Sequence, residues 1–335
     1  MNSHSSTGTQ RRAWLLATGL AFAAAATFGH AGVAKAETWP SRPIQLLIPY
    51  PPGGSADLLA RPVAARLQER LGQPVVLDYR PGAGGTIATQ MLARAKPDGN
   101  TLIMVLAAHA INASLYPKLP YDTRKDFAPV SLVANLPMIL AGSSSLRANT
   151  VPELIAEAKA SPGKLTFASA GNGNTGHLAG ELFDSVTGIK MTHVPYKGSA
   201  QVVTAMLSGE VQLTFDSIST TLPHVRAGKV RALAVTGAKR AAIAPDVPTL
   251  AEAGVPGINI TGWYAVLAPA GTPAPVVDRL SREIATVLKE PELKANLASN
   301  GYEPVGSTPD ALRTHIDAEI TRWSKVVKDS GAQVQ

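Results

Sequence analysis

An apolar run that ends in a glycine-rich loop and leads into a helical pattern constrains this chain most. The run covers residues 44–48, and the loop reads Pro-Tyr-Pro-Pro-Gly-Gly-Ser-Ala-Asp at 49–57. Apolar side chains at helical spacing follow up to Leu71, with Ser55 as the expected N-cap and Gly72 just past the end. A strand that feeds such a loop into a helix leaves several backbone N–H groups unpaired and directed at one spot. Because such a spot binds anions, the segment predicts a binding site for a small carboxylate.

Beyond residue 39, short apolar runs alternate with helical stretches, which is the pattern of an α/β fold with mostly parallel sheets. The predicted strands lie at 44–48, 75–78, 101–106, 138–142, 165–168, 191–194, 211–215, 230–236 and 262–267. Two capping boxes, at 150–153 and 249–252, mark helix starts between them. A last helix is predicted from Thr308, and its apolar face is expected to lie in the core.

The first 36 residues have the features of an export signal. Arg11 and Arg12 precede a mostly apolar stretch at 13–28, and Ala34 and Ala36 place small residues where a signal peptidase cuts. At about 16 residues, the stretch is shorter than the roughly 20 needed to cross a bilayer as a helix. We therefore expect cleavage near Ala36 and a periplasmic location. The arginine pair leaves both the general secretory and the twin-arginine export routes open.

The mature part of the chain is mildly basic and holds no cysteine. The full chain has 31 Lys and Arg against 24 Asp and Glu, a formal net charge of +7. The export signal carries three of the basic residues and no acid, so a charge of about +4 remains on about 299 residues. No block of basic residues marks nucleic-acid binding, and disulfides, thiol catalysis and cysteine-bound metals are excluded. The length suggests two domains.

A second glycine loop, at 169–177, also follows an expected strand and precedes a helical stretch. Gly-x-Gly-x-x-Gly at 171–176 matches the spacing of a dinucleotide-binding fingerprint. The fingerprint also needs an acidic residue about 20 positions on, and residues 190–195 hold none. Another glycine run, at 81–86, lacks the lysine of a nucleoside-triphosphate loop. We therefore expect no cofactor, and we predict that the second loop faces the loop at 49–57 across a cleft.

The sequence shows no catalytic or metal-binding constellation. Gly-x-Ser-x-Gly is absent, and the five histidines of the mature chain have no metal-ligand spacing. His109 and His177 follow expected strands, where each either lines the cleft or bonds to backbone. Asp57 is interpreted as a support of the first loop, whereas Asp216 is expected to face the cleft. An enzyme that uses Asp216 and His177 as an acid–base pair is an alternative hypothesis, opposed by the lack of a nucleophile or metal set.

Several short motifs together closely resemble the Bug-type extracytoplasmic receptors, the substrate-binding proteins of tripartite tricarboxylate transporters. The resemblance covers essentially the whole mature chain, in order. In the first half it is carried by the loop at 49–57 and by the segments at 78–85, 97–102, 116–122 and 125–130. In the second half it is carried by the loop at 169–177 and by the segments at 193–198, 215–217 and 267–273.

This resemblance implies a two-domain periplasmic binding protein of the Venus-flytrap, type II-like kind. Such a protein has an α/β fold whose mostly parallel sheets are joined by two crossover strands. Residues 37–138 and 262–335 would form the first domain, and residues 139–261 the second. The resemblance also implies a receptor that has no catalytic residues, metal or cofactor.

The resemblance further implies which residues hold the ligand, mainly through backbone amides. From the first domain these are Tyr50, Gly53, Gly54, Ser55 and Ala56. From the second domain they are Ser169, Ala170, Gly171, Asn172 and Thr175. The far end of the ligand is expected to meet Gly84, Ala107, His109, Tyr196 and Asp216. The family often has Phe at the position of Tyr50, and Thr, Ser or Gly within 105–108, so the ligand of a relative does not simply carry over.

The expected partners are a small organic carboxylate and the membrane subunits of a transporter. Candidate ligands are di- and tricarboxylates, acidic amino acids and aromatic acids. The receptor itself is expected to be a monomer that binds no nucleic acid. A ligand-sensing protein that docks to a signalling receptor would have the same fold and cleft, and the sequence leaves this alternative open.

Overall fold

The computed structural model describes residues 39–330 and 332, and its strands join in a ten-stranded sheet. In chain order the strands are β1 (Ile44–Ile48), β2 (Val75–Tyr79), β3 (Thr101–Leu106), β4 (Phe127–Gly142), β5 (Thr166–Ser169), β6 (Thr192–Pro195), β7 (Leu213–Ser217), β8 (Arg231–Val235), β9 (Thr261–Pro269) and β10 (Glu303–Pro304). Across the sheet, eight of them follow the order β2-β1-β3-β9-β4-β7-β5-β6, and β8 and β10 both pair with β4.

Helices lie along the connections between these strands and after the last of them. They are α1 (Ser55–Leu71), α2 (Thr86–Ala93), α3 (Ala108–Leu115), α4 (Val151–Ala160), α5 (Thr175–Thr187), α6 (Ser199–Ser208), α7 (Ile218–Arg226), α8 (Ala274–Val287), α9 (Pro291–Ser299) and α10 (Pro309–Ser330). Of the helices within residues 39–330, none is long and apolar enough to cross a bilayer. The expected export signal, residues 1–36, lies outside the described residues.

The sheet has two parallel sections joined by two antiparallel strands. β2, β1 and β3 pair in parallel, and so do β6, β5 and β7. Between the sections, β9 runs antiparallel to β3 and β4, and β4 runs antiparallel to β7 and β8. The partner of β4 changes from β9 at residues 127–137 to β7 and β8 at residues 138–142, so β4 passes from one section to the other. The α/β fold with parallel sheets and two crossing strands is therefore confirmed.

Most predicted strands match the observed bounds within two residues, and β4 is the exception. It was predicted at 138–142, but it begins at Phe127. The first part of β4 was missed for two reasons. Most of its residues are buried, so polar and apolar side chains do not alternate, and Pro129 and Pro137 are of a residue type that usually interrupts strands. The register between β4 and β9 shifts between Pro129 and Ser131, so the irregularity of the ladder lies at a residue that has no N–H to donate.

Most helix signals in the sequence are confirmed, but the capping box at 249–252 forms its two hydrogen bonds and is followed by a turn instead of a helix. Thr150 accepts a hydrogen bond from the N–H of Glu153, as a capping residue should. Gly72 has a φ of 70°, the left-handed conformation expected after the end of α1. At the start of α1 the prediction is wrong, because Gly54 occupies the N-cap and Ser55 is the first helical residue.

Helix α10 packs on the core through an apolar stripe, as predicted. The buried members of this stripe are Leu312, Ile316, Ile320 and Trp323. On the same helix, the buried Glu319 accepts hydrogen bonds from two indole N–H groups, at 2.8 Å from Trp263 of β9 and at 2.9 Å from Trp323. This carboxylate therefore ties the last helix to a crossing strand.

Removal of the Glu319 carboxylate is expected to destabilise the fold. In Glu319→Ala two buried indole N–H groups lose their acceptor, and each orphaned buried donor costs about 1–3 kcal/mol. We expect the free energy of unfolding to fall by roughly 2–5 kcal/mol, measured by urea denaturation. Glu319→Gln is the matched control, because its side-chain carbonyl still accepts from both indoles, and it should lose less than half as much. Equal losses in the two variants would contradict this role.

Candidate functional site

A cavity lies where the two parallel sections of the sheet meet. About 480 Å³ of space lies between its walls, counting the part that is open to solvent. It borders the carboxyl ends of β3 and β7 and the loops that follow β1 and β5, the edge at which open α/β sheets bind ligands. Its lining residues are Tyr50, Gly54, Ser55, Ala56, Leu106, Ala107, Met138, Ala170, Asn174, Thr175, Ser199, Asp216, Ser217, Gly262, Trp263 and Tyr264.

Five helices begin at this cavity. Each contributes its N-cap or first residue to the lining: Ser55 of α1, Ala107 of α3, Thr175 of α5, Ser199 of α6 and Ser217 of α7. Within the described part of the chain, no side chain caps α1, α3, α6 or α7. The first backbone N–H groups of a helix carry partial positive charge, so five positive helix ends face one cavity. This arrangement attracts an anion.

The first loop is held in shape by Asp57. This buried carboxylate accepts hydrogen bonds from the N–H of Gly53 at 2.8 Å and from the hydroxyl of Tyr79, and it pairs with Arg61 at 2.9 Å. Burial alone would raise the pKa of Asp57, but the bonds from Tyr79, Gly53 and Arg61 lower it. The interpretation of Asp57 as a loop support is therefore confirmed. The N–H of Gly53, expected to hold the ligand, is engaged within the loop.

Ser55 joins the first loop to distant strands. Its hydroxyl is bonded to the hydroxyl of Tyr264 in β9 at 2.7 Å and to that of Ser217 in β7 at 3.1 Å. Its carbonyl accepts from the hydroxyl of Tyr302 at 2.5 Å. These partners occupy the side chain that would otherwise cap α1, which explains why Gly54 takes the N-cap.

In the second loop, glycines allow close packing and left-handed backbone. A Cβ built at Gly176 would lie 2.1 Å from the carbonyl oxygen of Phe215, so only glycine lets α5 lie this close to β7. Gly171 and Gly173 have φ values of 124° and 77°, which favour glycine. Ser169 lies behind the loop, where its hydroxyl accepts from the N–H of Gly171 at 3.2 Å. These needs account for the dinucleotide-like spacing.

Among the described residues that line the cavity, Asp216 is the only acidic or basic one. It is buried, and its carboxylate accepts from the hydroxyl of Ser199 at 2.8 Å and from that of Thr220 at 3.4 Å. Burial raises the pKa of Asp216 to about 6, although bonds from Ser217, Ser199 and Thr220 act in the opposite direction. Among the described lining residues, positive charge that could attract an anion therefore comes from backbone dipoles, and the cavity holds one carboxyl with a pKa of about 6.

His177 is occupied elsewhere and does not pair with Asp216 among the described residues. Its Nδ1 accepts from the N–H of Gly173 at 3.2 Å, and its ring stacks on His193 at 4.1 Å between centroids. Burial lowers the pKa of His177 to about 4, so the imidazole is neutral at pH 7. In residues 39–330 no group of three or more His, Asp or Glu is arranged to hold a metal ion.

The structure brings eight of the predicted ligand residues together in the cavity lining. They are Tyr50, Gly54, Ser55, Ala56, Ala107, Ala170, Thr175 and Asp216. Both glycine loops contribute, so they do face each other across one cavity.

The other seven predicted residues lie outside this lining: Gly53, Gly84, His109, Ser169, Gly171, Asn172 and Tyr196. Gly84, from the glycine run at 81–86, lies against Asn172 of the second loop. A Cβ at Gly84 would lie 2.7 Å from the carbonyl oxygen of Asn172. Tyr196 is turned toward the surface, where its hydroxyl donates to Glu210 at 2.8 Å.

His109 lies beneath the cavity wall. It is buried against the rings of Tyr121 and Phe127, with centroids 6.4 Å and 5.3 Å away. Burial lowers the pKa of His109 to about 4, so its imidazole is also neutral.

Sequence reasoning missed half of the lining: Leu106, Met138, Asn174, Ser199, Ser217, Gly262, Trp263 and Tyr264. Ser199 had a usable signal, because it follows Gly198 at the start of a helical stretch, as Ser55 follows Gly54. Trp263 and Tyr264 lie in a correctly predicted strand, but the crossing of β9 between the two sections brings them to the cavity, and no local pattern encodes this crossing.

Comparison with known proteins identifies the family of this site. The family model of the tripartite tricarboxylate transporter family receptor matches residues 59–332. Protein BugT of Bordetella pertussis is 40% identical over 312 residues, which cover 92% of this chain and 96% of BugT. These matches confirm the resemblance to Bug-type receptors.

Solved structures agree with this assignment. Rpa4515 of R. palustris, solved with adipate, has a TM-score of 0.86 and 41% identity, covering 88% of this chain and all of that chain. MatC from Rhodopseudomonas palustris, solved with bound malate, has a TM-score of 0.83 and 32% identity, covering 86% of this chain and all of that chain. The fold is that of the periplasmic binding proteins, and the chain belongs to the tripartite tricarboxylate transporter receptor family.

Proposed function

We propose that this protein is an extracytoplasmic solute receptor that binds a small carboxylate through backbone amides and delivers it to a membrane transporter. The observation that carries the proposal is the convergence of five helix N-termini on a cavity whose lining, within the described part of the chain, has no Lys, Arg or His. Each such N-terminus stabilises an anion by roughly 0.3–2 kcal/mol, and the effect is largest where water is excluded.

The ligands named for two similar structures support a dicarboxylate. Adipate and malate are both small carboxylates with two acidic groups, and the proteins that hold them cover most of this chain. We therefore propose that this chain also binds a carboxylate, but we do not carry over the identity of the ligand.

We further propose that the protein has two lobes that close on the ligand. The first lobe consists of residues 37–138 together with 262–335, and the second of residues 139–261. Contacts between them support this: a Cβ at Gly198 would lie 2.9 Å from Pro51, and Ser217 bonds to Ser55 at 3.1 Å. Closure buries the ligand and lets the second loop add its amides, so ligand affinity and the closed population rise together. We also propose that the protein is cleaved near Ala36 and works in the periplasm, where it passes the ligand to a transporter. In this proposal it binds the ligand without catalysing a reaction.

A thermal-shift screen of the exported protein, refolded to strip bound ligand, tests carboxylate binding. Mono-, di- and tricarboxylic and aromatic acids form the panel, and a ligand at 100 times its Kd should stabilise the protein by about 2.7 kcal/mol. In Gly54→Leu the shift should disappear while the melting temperature without ligand holds, because a Cβ at this position meets only the carbonyl oxygen of Pro51, at 3.7 Å.

Ala65→Leu is the matched control for this variant. It adds a side chain of similar size on the exposed face of the same helix, so the ligand shift should persist. A Gly54→Leu variant that binds as well as the wild type would show that the cavity is not the site. No shift with any acid on the panel would count against the ligand class.

Binding of an anion is expected to strengthen as pH falls through the titration of Asp216. The pKa of this buried carboxyl is about 6, so it is mostly ionised at pH 7.5 and repels a carboxylate, whereas at pH 5.5 it is mostly protonated. Tyr50 and Tyr264, which also line the cavity, stay protonated because burial raises their pKa values.

Calorimetric titration with adipate between pH 5.5 and 7.5 should show a gain in affinity of roughly threefold to tenfold toward low pH. Asp216→Asn carries no charge at either pH and should lose this gain. The variant also corrects for titration of adipate itself. The same pH dependence in both proteins would contradict the role of Asp216.

A further inference from the structure

Tyr50 presents a buried polar group that the rest of the fold does not use. Only 7% of the residue is exposed, it lines the cavity, and its hydroxyl has no hydrogen-bond partner among the described residues. Of the buried tyrosines nearby, Tyr264 donates to the hydroxyl of Ser55 and Tyr302 to its carbonyl. The hydroxyl of Tyr121 also has no partner among the described residues, but Tyr121 does not line the cavity. A buried hydroxyl without a partner lowers the stability of the fold, so one that belongs to a residue lining a binding cavity indicates a group of the ligand.

The surroundings of this hydroxyl are uncharged. Burial first, and then the nearby hydroxyls of Tyr264, Tyr116 and Tyr121, raise the pKa of Tyr50 far above its usual range, so it is a neutral donor at any physiological pH. The carboxylate of Asp216, by contrast, is held by Ser199 and Thr220 in the other section of the sheet. An anionic group of the ligand is therefore repelled at Asp216 and accepted at Tyr50.

A ligand with two acidic groups fits both features. One carboxylate lies at the helix N-termini, and the other must avoid Asp216 and find a donor. We propose that the hydroxyl of Tyr50 donates a hydrogen bond to this second carboxylate, so that the cavity selects dicarboxylates over monocarboxylates of the same length. This inference rests on the proposed carboxylate-binding function and adds the residue that sets the ligand class.

Calorimetry with matched acids tests it. Adipate is compared with hexanoate, and succinate with butyrate, on the exported wild-type protein and on Tyr50→Phe, which removes only the hydroxyl. In the wild type each dicarboxylate should bind at least tenfold more tightly than its monocarboxylate. In Tyr50→Phe the better-bound dicarboxylate should lose about tenfold to a hundredfold in affinity, as expected for a hydrogen bond to a charged group, while the monocarboxylates change by less than about threefold.

Melting temperature without ligand provides a second readout. Because the Tyr50 hydroxyl has no partner within the fold, Tyr50→Phe should melt at the same temperature as the wild type or higher. Tyr302→Phe is the matched contrast, since the same change removes a donor that is bonded to Ser55, and it should melt lower. A fall in Tyr50→Phe as large as that in Tyr302→Phe would point to a structural role and overturn the inference.

The outcomes separate this inference from the proposed function. A wild type that binds dicarboxylates, with Tyr50→Phe binding them equally well, overturns the role of Tyr50 and leaves carboxylate binding in place. If Tyr50→Phe loses affinity equally for mono- and dicarboxylates, the hydroxyl contacts the carboxylate at the helix N-termini, and the inference is also overturned. A wild type that binds none of the four acids counts against both proposals.

Discussion

The antiparallel pairing of β4 with β9 is the constraint on which the rest of the structure depends. Each of these strands contacts both its crossing partner and one parallel section of the sheet, so the two sections are held side by side. The strands are buried along most of their length, and the carboxylate of Glu319 fixes α10 against β9 through Trp263. Because the sections meet at this pair, the loops that follow β1 and β5 reach the same cavity.

The chemistry of the cavity follows from this topology. In a parallel β–α unit the helix begins at the carboxyl end of its strand, so every such unit places positive backbone dipole at the same edge of the sheet. Two sections that share this edge bring five helix N-termini to one cavity, and none of the described residues that line it is basic. Hydroxyls then connect the parts: Ser55 bonds to Tyr264 and Ser217, which belong to β9 and β7. The anion site that we propose is built from backbone, which leaves the side chains of Tyr50 and Asp216 to discriminate among anions.

Local patterns in the sequence predicted most strands and helix ends, because the spacing of buried side chains and the residues that form turns are visible within a few consecutive residues. The bounds of β1 and β3 and the end of α1 at Gly72 are examples. Features set by distant partners were not predictable. Ser55 looks like an N-cap, but Tyr264 and Ser217 engage its hydroxyl, and the first part of β4 looks irregular because its burial hides any alternation. Asp57, which engages the N–H of Gly53, is held in turn by Tyr79 of the neighbouring strand β2.

The central claim is that backbone amides at the meeting point of the two sections hold a carboxylate. The most direct measurement is a crystal structure of the exported protein with adipate. A carboxylate oxygen should lie within about 3.2 Å of the backbone nitrogen of Ser55 or Ala56 and of the backbone nitrogen of Thr175. Adipate bound outside the cavity, or bound inside it with both carboxylates away from these nitrogens, would contradict the claim.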